Sequence, residues 1–318
     1  MLRQPSAASH AAPLTAALDI GGTKIAAALV TREGAVAVRA QRPTPRTADA
    51  EAVRAAAVDC LLELACREEW RQVGALGVCS AGPVDRVLGT ASPVNIPAWR
   101  EYPLLKELSV VPEVSGLRTV FGGDAVAMTA GEHLFGAARG HRNALCMVVS
   151  TGVGAGLVLD GAVRSGRTGN AGHLGHVTVD LDGEVCPCGS SGCLERIASG
   201  EAITRRALTM GWLPPGGTTP STALVAESAR RGHIAALEAF DRAARALAAG
   251  IAGCATLLEL EVAVLGGGVM HASDLLIPRV RRHMRRYAPL PFARLGIVGA
   301  ELGSDAGLVG AAALAQGG

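Results

Sequence analysis

The sequence predicts an α/β protein built from two related lobes. The main observation is a pattern that occurs twice: a buried strand, a turn of glycines and small polar residues, and a second buried strand. It occupies residues 15–30 and begins again at Ala144, about 130 residues later. Because the turn leads into another apolar strand and not into a helix, each unit is typical of a β-hairpin. A chain of 318 residues is long enough for two separate cores.

Other elements follow from hydrophobic periodicity. A helix is expected at 49–67, where Val53, Ala57, Leu61 and Leu64 share one face. Short apolar runs predict strands at 75–80, 119–121 and 261–265, and helices are expected at 124–138, 233–258 and 304–316.

The expected domain organisation has three parts. Residues 1–14 lack a long apolar core and are predicted to be a disordered tail. The small lobe is expected to comprise 15–127 and 306–318. The large lobe is expected at 128–305.

Composition narrows the class of protein. The net charge of +2 gives no reason to expect nucleic acid or an anionic membrane as a partner. No apolar run reaches the roughly 18–20 residues of a spanning helix. The 8 cysteines are unevenly placed, with three between Cys186 and Cys193. This clustering favours a metal site in a reducing cytoplasm over a disulfide framework.

Three glycine turns, each at the end of a buried strand, are candidate nucleotide-binding elements. Glycine lets the backbone approach a ligand closely and aim successive N–H groups at an anion. The first turn also has a carboxylate that could hold hydrated Mg²⁺. None matches the P-loop or dinucleotide spacing, and each alone could be only a tight hairpin. The candidate residues are Asp19, Gly21, Gly22, Thr23, Lys24, Thr151, Gly152, Gly266, Gly267 and Gly268.

A second cluster has the spacing of a metal site. His176, Cys186, Cys188 and Cys193 lie as H-x9-C-x-C-x4-C. One imidazole and three thiolates form a closed tetrahedral Zn²⁺ site with no position for a reactive water, which indicates a structural metal. The alternative is a group of buried cysteines beside an unrelated histidine. The metal would fix the loop 172–195, which also contains His173 and Glu195.

Together these motifs resemble the ROK family (repressors, open reading frames, kinases), which includes bacterial glucokinases and N-acetylhexosamine kinases. The resemblance covers nearly the whole chain. It rests on LDIGGTK at 18–24, SAGPVD at 80–85, STGVGAG at 150–156, the loop 172–195, LGGGV at 265–269 and DAGLVGAA at 305–312.

The resemblance implies an actin-like (ribonuclease H-like) two-lobed sugar kinase fold with a cleft between the lobes. It also implies ATP and Mg²⁺ as cofactors, a small-molecule sugar as acceptor, and a homodimer. Asp124 matches the catalytic aspartate of the family. A carboxylate beside the attacking hydroxyl can accept its proton as the bond to the γ-phosphoryl group forms. Without the resemblance, an Asp at a helix start would most often be an N-cap.

The resemblance also indicates acceptor contacts. His176 and Glu195 match residues that contact sugar hydroxyls, and Asn95 fits a sugar-side loop. Two positions depart from the family pattern. Gly123 replaces an Asn that normally binds ring hydroxyls, and His173 replaces a sugar-binding Glu. Unlike Glu, His can donate a hydrogen bond, and near neutral pH it can carry partial positive charge.

These changes favour a modified acceptor, such as a C7 cyclitol or an unusual hexose, over glucose. If water and neighbouring side chains fill the two positions, an ordinary glucokinase or N-acetylhexosamine kinase is the alternative. A sugar-responsive repressor is a further class in the same family. About fourteen residues precede the first strand, too few for a helix-turn-helix domain. A non-catalytic sugar-binding relative would be expected to lack Asp124.

Overall fold

The computed structural model describes residues 14–288, 290 and 294–317. The tail expected at 1–14 therefore lies outside the described residues, apart from Leu14, which begins the first strand. The chain divides into two compact units, one formed by Met1–Gly122 with Ala311–Gly318 and the other by Gly123–Gly310.

The elements of the first unit are β1 (Leu14–Ile20), β2 (Lys24–Thr31), β3 (Val36–Pro43), α1 (Ala50–Ala65), β4 (Val73–Ser80), β5 (Val84–Asp85), β6 (Thr90–Ala91), α2 (Leu104–Ser109) and β7 (Arg118–Gly123). Five of the strands form a sheet in the order β3-β2-β1-β4-β7. Strands β1 to β3 pair antiparallel, and β4 pairs parallel with β1.

Helix α1 covers one face of this sheet. Asp49 caps its N-terminus by accepting a hydrogen bond from the N–H of Glu51 at 2.9 Å. The face predicted from the sequence is buried with the strands and confirms the expected helix. Trp99 is also buried, stacks on Tyr102, and donates from Nε1 to the carbonyl of Ala50 at 3.1 Å. The indole thereby ties the loop that follows Asn95 to the start of α1.

The elements of the second unit are α3 (Asp124–Phe135), β8 (Ala144–Val149), β9 (Val153–Leu159), β10 (Ala162–Arg164), α4 (Glu195–Ala198), α5 (Gly200–Thr209), α6 (Thr222–Arg230), α7 (Ile234–Leu258), β11 (Val262–Gly266), α8 (Ser273–Tyr287), β12 (Gly296–Gly299) and the first part of α9 (Ala306–Gln316). The strands form a five-stranded sheet in the order β10-β9-β8-β11-β12.

The two sheets have the same construction. In each, three strands form an antiparallel meander, and a later strand adds parallel to the first strand of the meander. The duplicated architecture predicted from the sequence is thus confirmed. Both predicted hairpins form as well, one from β1 and β2 and the other from β8 and β9.

The core of the second unit centres on α7, which is rich in alanine. Phe240 and Leu247 are fully buried, as are Ala243 and Ala244 between them. Small side chains let neighbouring helices approach closely, and the two large residues fill the space that remains. Among the described residues, no helix is both long enough and apolar enough to cross a membrane.

The division between the units differs from the expected lobes. It falls at Gly122 and Gly123, and again at Gly310 and Ala311, where 127 and 306 were expected. The first shift arises because α3 packs as a whole on β8 and β9. Helix α9 begins in the second unit and ends in the first.

A buried carboxylate anchors α3. Glu132 is fully buried and accepts hydrogen bonds from the N–H groups of Ala137, Glu301 and Leu302 at 2.8–3.0 Å. The helix ends at Phe135, three residues before the expected end at 138. A side chain on the next residue, Gly136, would collide with the Glu132 carboxylate. This anchor fixes the helix whose first residue is Asp124.

Candidate active site

The first glycine turn joins β1 to β2. Gly21 donates to the carbonyl of Lys24 at 3.0 Å, and the Thr44 hydroxyl donates to the carbonyl of Gly21 at 2.6 Å. A Cβ atom added to Gly22 would lie 2.2 Å from Nδ2 of Asn95. Asn95 therefore packs directly on the turn, and only glycine fits beneath it.

Asp19 lies next to this turn, at the end of β1. The parallel register places it opposite Cys79 on β4, and the thiol donates to Oδ1 at 3.3 Å. Burial raises the pKa of Asp19, while the thiol and the charge of Lys24 act in the opposite direction. Thr23 and Lys24 are exposed. A carboxylate, a hydroxyl and an ammonium group thus cluster within six residues around a glycine turn.

The second glycine turn joins β8 to β9. Ser150 donates to the carbonyl of Gly152 at 2.8 Å, which closes the turn. Thr151 at its tip is exposed. The N–H of Val153 donates to Oε2 of Glu195 at 2.8 Å, and a Cβ atom on Gly152 would lie 2.5 Å from the same oxygen. The turn is therefore packed against the Glu195 carboxylate.

The third glycine turn follows β11. Since β11 is parallel to β8, both strands end at the same edge of the sheet. Gly267 has φ +92°, and a Cβ atom there would lie 2.5 Å from the carbonyl oxygen of Val149. A Cβ atom on Gly268 would lie 3.3 Å from Oγ of Ser150. The structure thus brings the second and third predicted turns together.

A cavity of about 620 Å³ opens beside these two turns. Thr151 and Gly268 lie in its lining, and the opposite walls come from α5 and α6. This volume is in the range of small-molecule and cofactor sites. The wall residues were not predicted from the sequence, and they include Thr204, Leu208, Thr222, Ala226 and Arg230. They carry no motif, and only the amphipathic character of α5 and α6 could have indicated a packed wall there.

Asp124 is the first residue of α3 and is exposed. Its Oδ1 accepts the N–H of Ala125 at 2.7 Å. Helix N-termini favour negatively charged side chains, so the position suits an ionised carboxylate. The preceding residue, Gly123, is buried and caps the helix without a side-chain hydrogen bond.

The four predicted metal ligands converge. One ligand atom from each of His176, Cys186, Cys188 and Cys193 lies within 4.8 Å of the others. The Sγ atoms of Cys188 and Cys193 are 3.6 Å apart, and Sγ of Cys186 is 3.8 Å from Nδ1 of His176. A tetrahedral site with Zn–S bonds of about 2.3 Å has ligand atoms roughly 3.8 Å apart. The donor set and its spacing therefore fit Zn²⁺.

The backbone of this loop is shaped around the thiols. Gly189 has φ +92° and Gly192 has φ +67°, conformations that glycine adopts without strain. Burial raises the pKa of Cys193 to about 12, and a backbone hydrogen bond from Ser190 lowers the pKa of Cys188. A bound cation would favour the thiolate form of both.

The predicted acceptor contacts His173, His176 and Glu195 lie on one loop. The rings of His173 and His176 are 6.2 Å apart between centroids. Desolvation lowers the pKa of His173, His176 lowers it further, and the Glu195 carboxylate acts in the opposite direction. This lowered pKa favours a neutral imidazole, which can donate one hydrogen bond, over the partial positive charge expected from the sequence.

Comparison with known proteins identifies the class. A model of the ROK family matches residues 15–317. The chain is 35% identical to the glucokinase of Streptomyces coelicolor over 325 residues, which covers 95% of this chain and 98% of the relative. It is 36% identical to the N-acetylmannosamine kinase of Yersinia pseudotuberculosis over 304 residues, which covers 94% and 97%.

Solved structures agree. A crystal structure of a ROK family glucokinase from Streptomyces griseus in complex with glucose and AMPPNP superimposes with a TM-score of 0.80 at 35% identity, covering 96% of this chain and 100% of that one. The chain belongs to the ROK family and has the actin-like fold of its sugar kinases. The protein is an ATP-dependent carbohydrate kinase.

Proposed function

We propose that the enzyme transfers the γ-phosphoryl group of ATP to a primary hydroxyl of a sugar-like acceptor, at position 6 of a hexose or its equivalent. We further propose that this acceptor is a modified sugar or a C7 cyclitol. The observation that carries the second part is the identity of residue 173: a histidine, whose pKa is lowered by desolvation, stands near Glu195 where the ROK pattern has a second carboxylate.

Asp124 would act as the general base. The acceptor oxygen forms a bond to the γ-phosphorus, the bond to the β,γ-bridging oxygen breaks, and ADP leaves. The proton of the acceptor hydroxyl moves to the carboxylate of Asp124. Its exposure at the start of α3 supports this role, because a general base has to reach the substrate.

The glycine turns would hold the nucleotide. Thr151 and Gly152 would bind phosphate oxygens, and Gly266–Gly268 would lie along the adenosine. The cavity of about 620 Å³ supports both assignments, because Thr151 from the second turn and Gly268 from the third both line it. Asp19 would hold hydrated Mg²⁺, which neutralises phosphate charge in phosphoryl transfer. A bound cation would favour the ionised form of Asp19, which burial alone disfavours.

Zn²⁺ would be structural. The four protein ligands would fill all four positions of a tetrahedral zinc ion, so no position would remain for a reactive water. Two residues separate His176 from His173, and one separates Cys193 from Glu195. Fixing the metal ligands would therefore fix both neighbouring side chains that we assign to the acceptor.

The two departures support a modified acceptor. A carboxylate accepts hydrogen bonds from sugar hydroxyls, whereas a neutral imidazole can donate one to an acceptor group such as a carbonyl. Gly123 removes a hydrogen-bonding side chain next to Asp124. A site built around hydrogen bonds discriminates strongly against ligands that leave its polar groups unpaired.

Glucose or N-acetylmannosamine is the second candidate. The relatives that bear the corresponding names are 35% and 36% identical over nearly the whole chain. The remaining acceptor contacts, His176, Glu195 and Asn95, are retained. Water and neighbouring side chains would then occupy the space left by the two substitutions.

An acceptor comparison separates the candidates. We would measure kcat/KM with ATP for glucose, N-acetylmannosamine and a panel of C7 cyclitols and keto-cyclitols. A cyclitol value at least about tenfold above the glucose value supports the proposal. A glucose value of roughly 10⁴ M⁻¹s⁻¹ or above, unmatched by any other acceptor, would contradict it.

A further inference from the structure

The first residues of helices α4 and α5 form hydrogen bonds with the second glycine turn. Glu195, the first residue of α4, accepts the N–H of Val153 through Oε2 at 2.8 Å. Gly200, the first residue of α5, donates to the carbonyl of Ser150 at 2.8 Å. The turn is therefore fixed by hydrogen bonds at Ser150 and at Val153. Between these two residues, the backbone of Gly152 packs against the Glu195 carboxylate.

We propose that Glu195 is a positioning residue for the nucleotide phosphates, in addition to its proposed contact with the acceptor. The inference rests on the proposed role of Thr151 and Gly152 in binding phosphate. The hydrogen bond between Ser150 and Gly152 fixes only one side of the turn. On the other side, Val153 is buried, and Glu195 is the partner that the structure gives to its N–H. Loss of that partner lets the phosphate-binding amides move.

Holding the turn does not by itself require a carboxylate at position 195, because the amide oxygen of a glutamine could accept the same N–H of Val153. The carboxylate therefore points to a second role for Glu195. Glu184, on the same loop, is exposed and pairs with Arg196 at 2.9 Å and Arg205 at 3.5 Å. Glu195 is half-buried, and within the described ranges no Lys or Arg forms an ion pair with it. Its carboxylate oxygens can therefore accept hydrogen bonds from Val153 and from a ligand.

The two carboxylate oxygens of Glu195 can serve different partners. Oε2 of Glu195 holds the turn, and in the part of the chain that the structure describes Oε1 has no hydrogen bond. An acceptor hydroxyl bound to Oε1 would fix the same carboxylate that fixes Val153. Acceptor binding and phosphate binding are then coupled through one side chain, and such coupling is reciprocal.

The test uses binding without any acceptor, so it does not depend on the identity of the sugar. We would measure the dissociation constants of Mg²⁺-AMPPNP and of adenosine by calorimetry for the wild-type enzyme, Glu195→Ala and Glu195→Gln. Glu184→Ala is the matched control, because it removes a carboxylate from the same loop without touching the turn. Zinc content is measured for every variant.

We expect Glu195→Ala to bind AMPPNP about tenfold more weakly, within the usual range of coupling between sites. Adenosine affinity and zinc content should stay unchanged, and Glu184→Ala should resemble the wild type. Glu195→Gln should restore AMPPNP binding to within about threefold, since its amide oxygen can accept the Val153 N–H.

Three results would overturn the inference: AMPPNP binding by Glu195→Ala equal to wild type, an equal loss of adenosine affinity, or no rescue by glutamine. The first would restrict Glu195 to the acceptor, and the second would indicate general damage. A wild-type enzyme that binds adenosine as tightly as AMPPNP would instead contradict the phosphate role of Thr151 and Gly152, and the inference would fall with it.

Discussion

Asn95 packs so closely on Gly22 that a single added carbon atom would lie 2.2 Å from its side-chain nitrogen. The residues are 73 positions apart, and the contact joins the turn after β1 to the loop that we assign to the acceptor. A substitution in the turn should therefore disturb the loop that contains Asn95, and a substitution of Asn95 should disturb the turn.

The first prediction concerns this contact. Gly22→Ala should lower kcat/KM by about tenfold or more, because the methyl group displaces either the turn or Asn95. Asn95→Ala removes the amide but keeps Cβ, which would lie 2.8 Å from the added atom. The double variant should therefore be partly relieved and lose less than the sum of the two single effects. A double-mutant cycle on kcat/KM measures that difference.

Gly21→Ala provides the comparison within the same turn. A Cβ atom there would lie 3.0 Å from the carbonyl oxygen of Lys24 and would not meet Asn95. Asn95→Ala should therefore partly relieve Gly22→Ala and should not relieve Gly21→Ala. Additive effects of Gly22→Ala and Asn95→Ala would show that the contact does not matter for activity.

The second prediction concerns Asp124. Asp124→Asn should reduce kcat by at least about a hundredfold, the usual contribution of general acid–base catalysis. Zinc content and AMPPNP binding should be retained, because the substitution is isosteric. Steady-state kinetics and calorimetry provide the two measurements.

Asp160→Asn is a suitable control for Asp124→Asn. Asp160 is exposed in the same unit, and its φ of +56° is tolerated by asparagine. This variant should have wild-type activity. Turnover by Asp124→Asn close to that of Asp160→Asn would remove Asp124 from the mechanism.

The third prediction concerns the metal. Elemental analysis should find one zinc per chain, and Cys188→Ser should lose it. Since metal binding to such a site contributes directly to folding, the variant should also have a lower Tm and weaker acceptor binding. Cys66→Ser changes an exposed cysteine outside the cluster and should affect none of these properties. A zinc-free enzyme with unchanged activity and Tm would rule out the structural metal.

Local sequence patterns were sufficient to predict much of the fold. The two hairpins could be predicted because apolar strands flank short glycine turns, and α1 could be predicted because its apolar residues share one face. Helix α8 was missed, since Pro278 interrupts its sequence pattern while tertiary packing maintains the helix. The small-lobe boundary at 127 was displaced because α3 packs as one body on the second sheet.

The site shows the same limit. The metal ligands could be predicted because four donor residues lie within 18 positions of one another. Glu195 and Val153 are 42 positions apart in the sequence, and no local sequence pattern predicts their hydrogen bond. The cavity walls on α5 and α6 consist of ordinary helix residues, which gain their role only when the chain folds over the glycine turns.

The fourth prediction concerns acceptor choice. His173→Glu combined with Gly123→Asn restores the ROK pattern at both departures. A glutamate accepts hydrogen bonds from sugar hydroxyls, and an asparagine at 123 adds a group for ring hydroxyls. If the two residues select a modified acceptor, the double variant should raise kcat/KM for glucose relative to the best cyclitol by about tenfold or more, as expected when buried polar groups gain partners.

His173→Gln is the control, because it keeps a neutral hydrogen-bond donor and should retain the wild-type preference. Competition assays with both acceptors in one reaction measure the ratio directly. An unchanged ratio in the double variant, with zinc content and Mg²⁺-AMPPNP binding intact, would mean that other residues set the choice of acceptor.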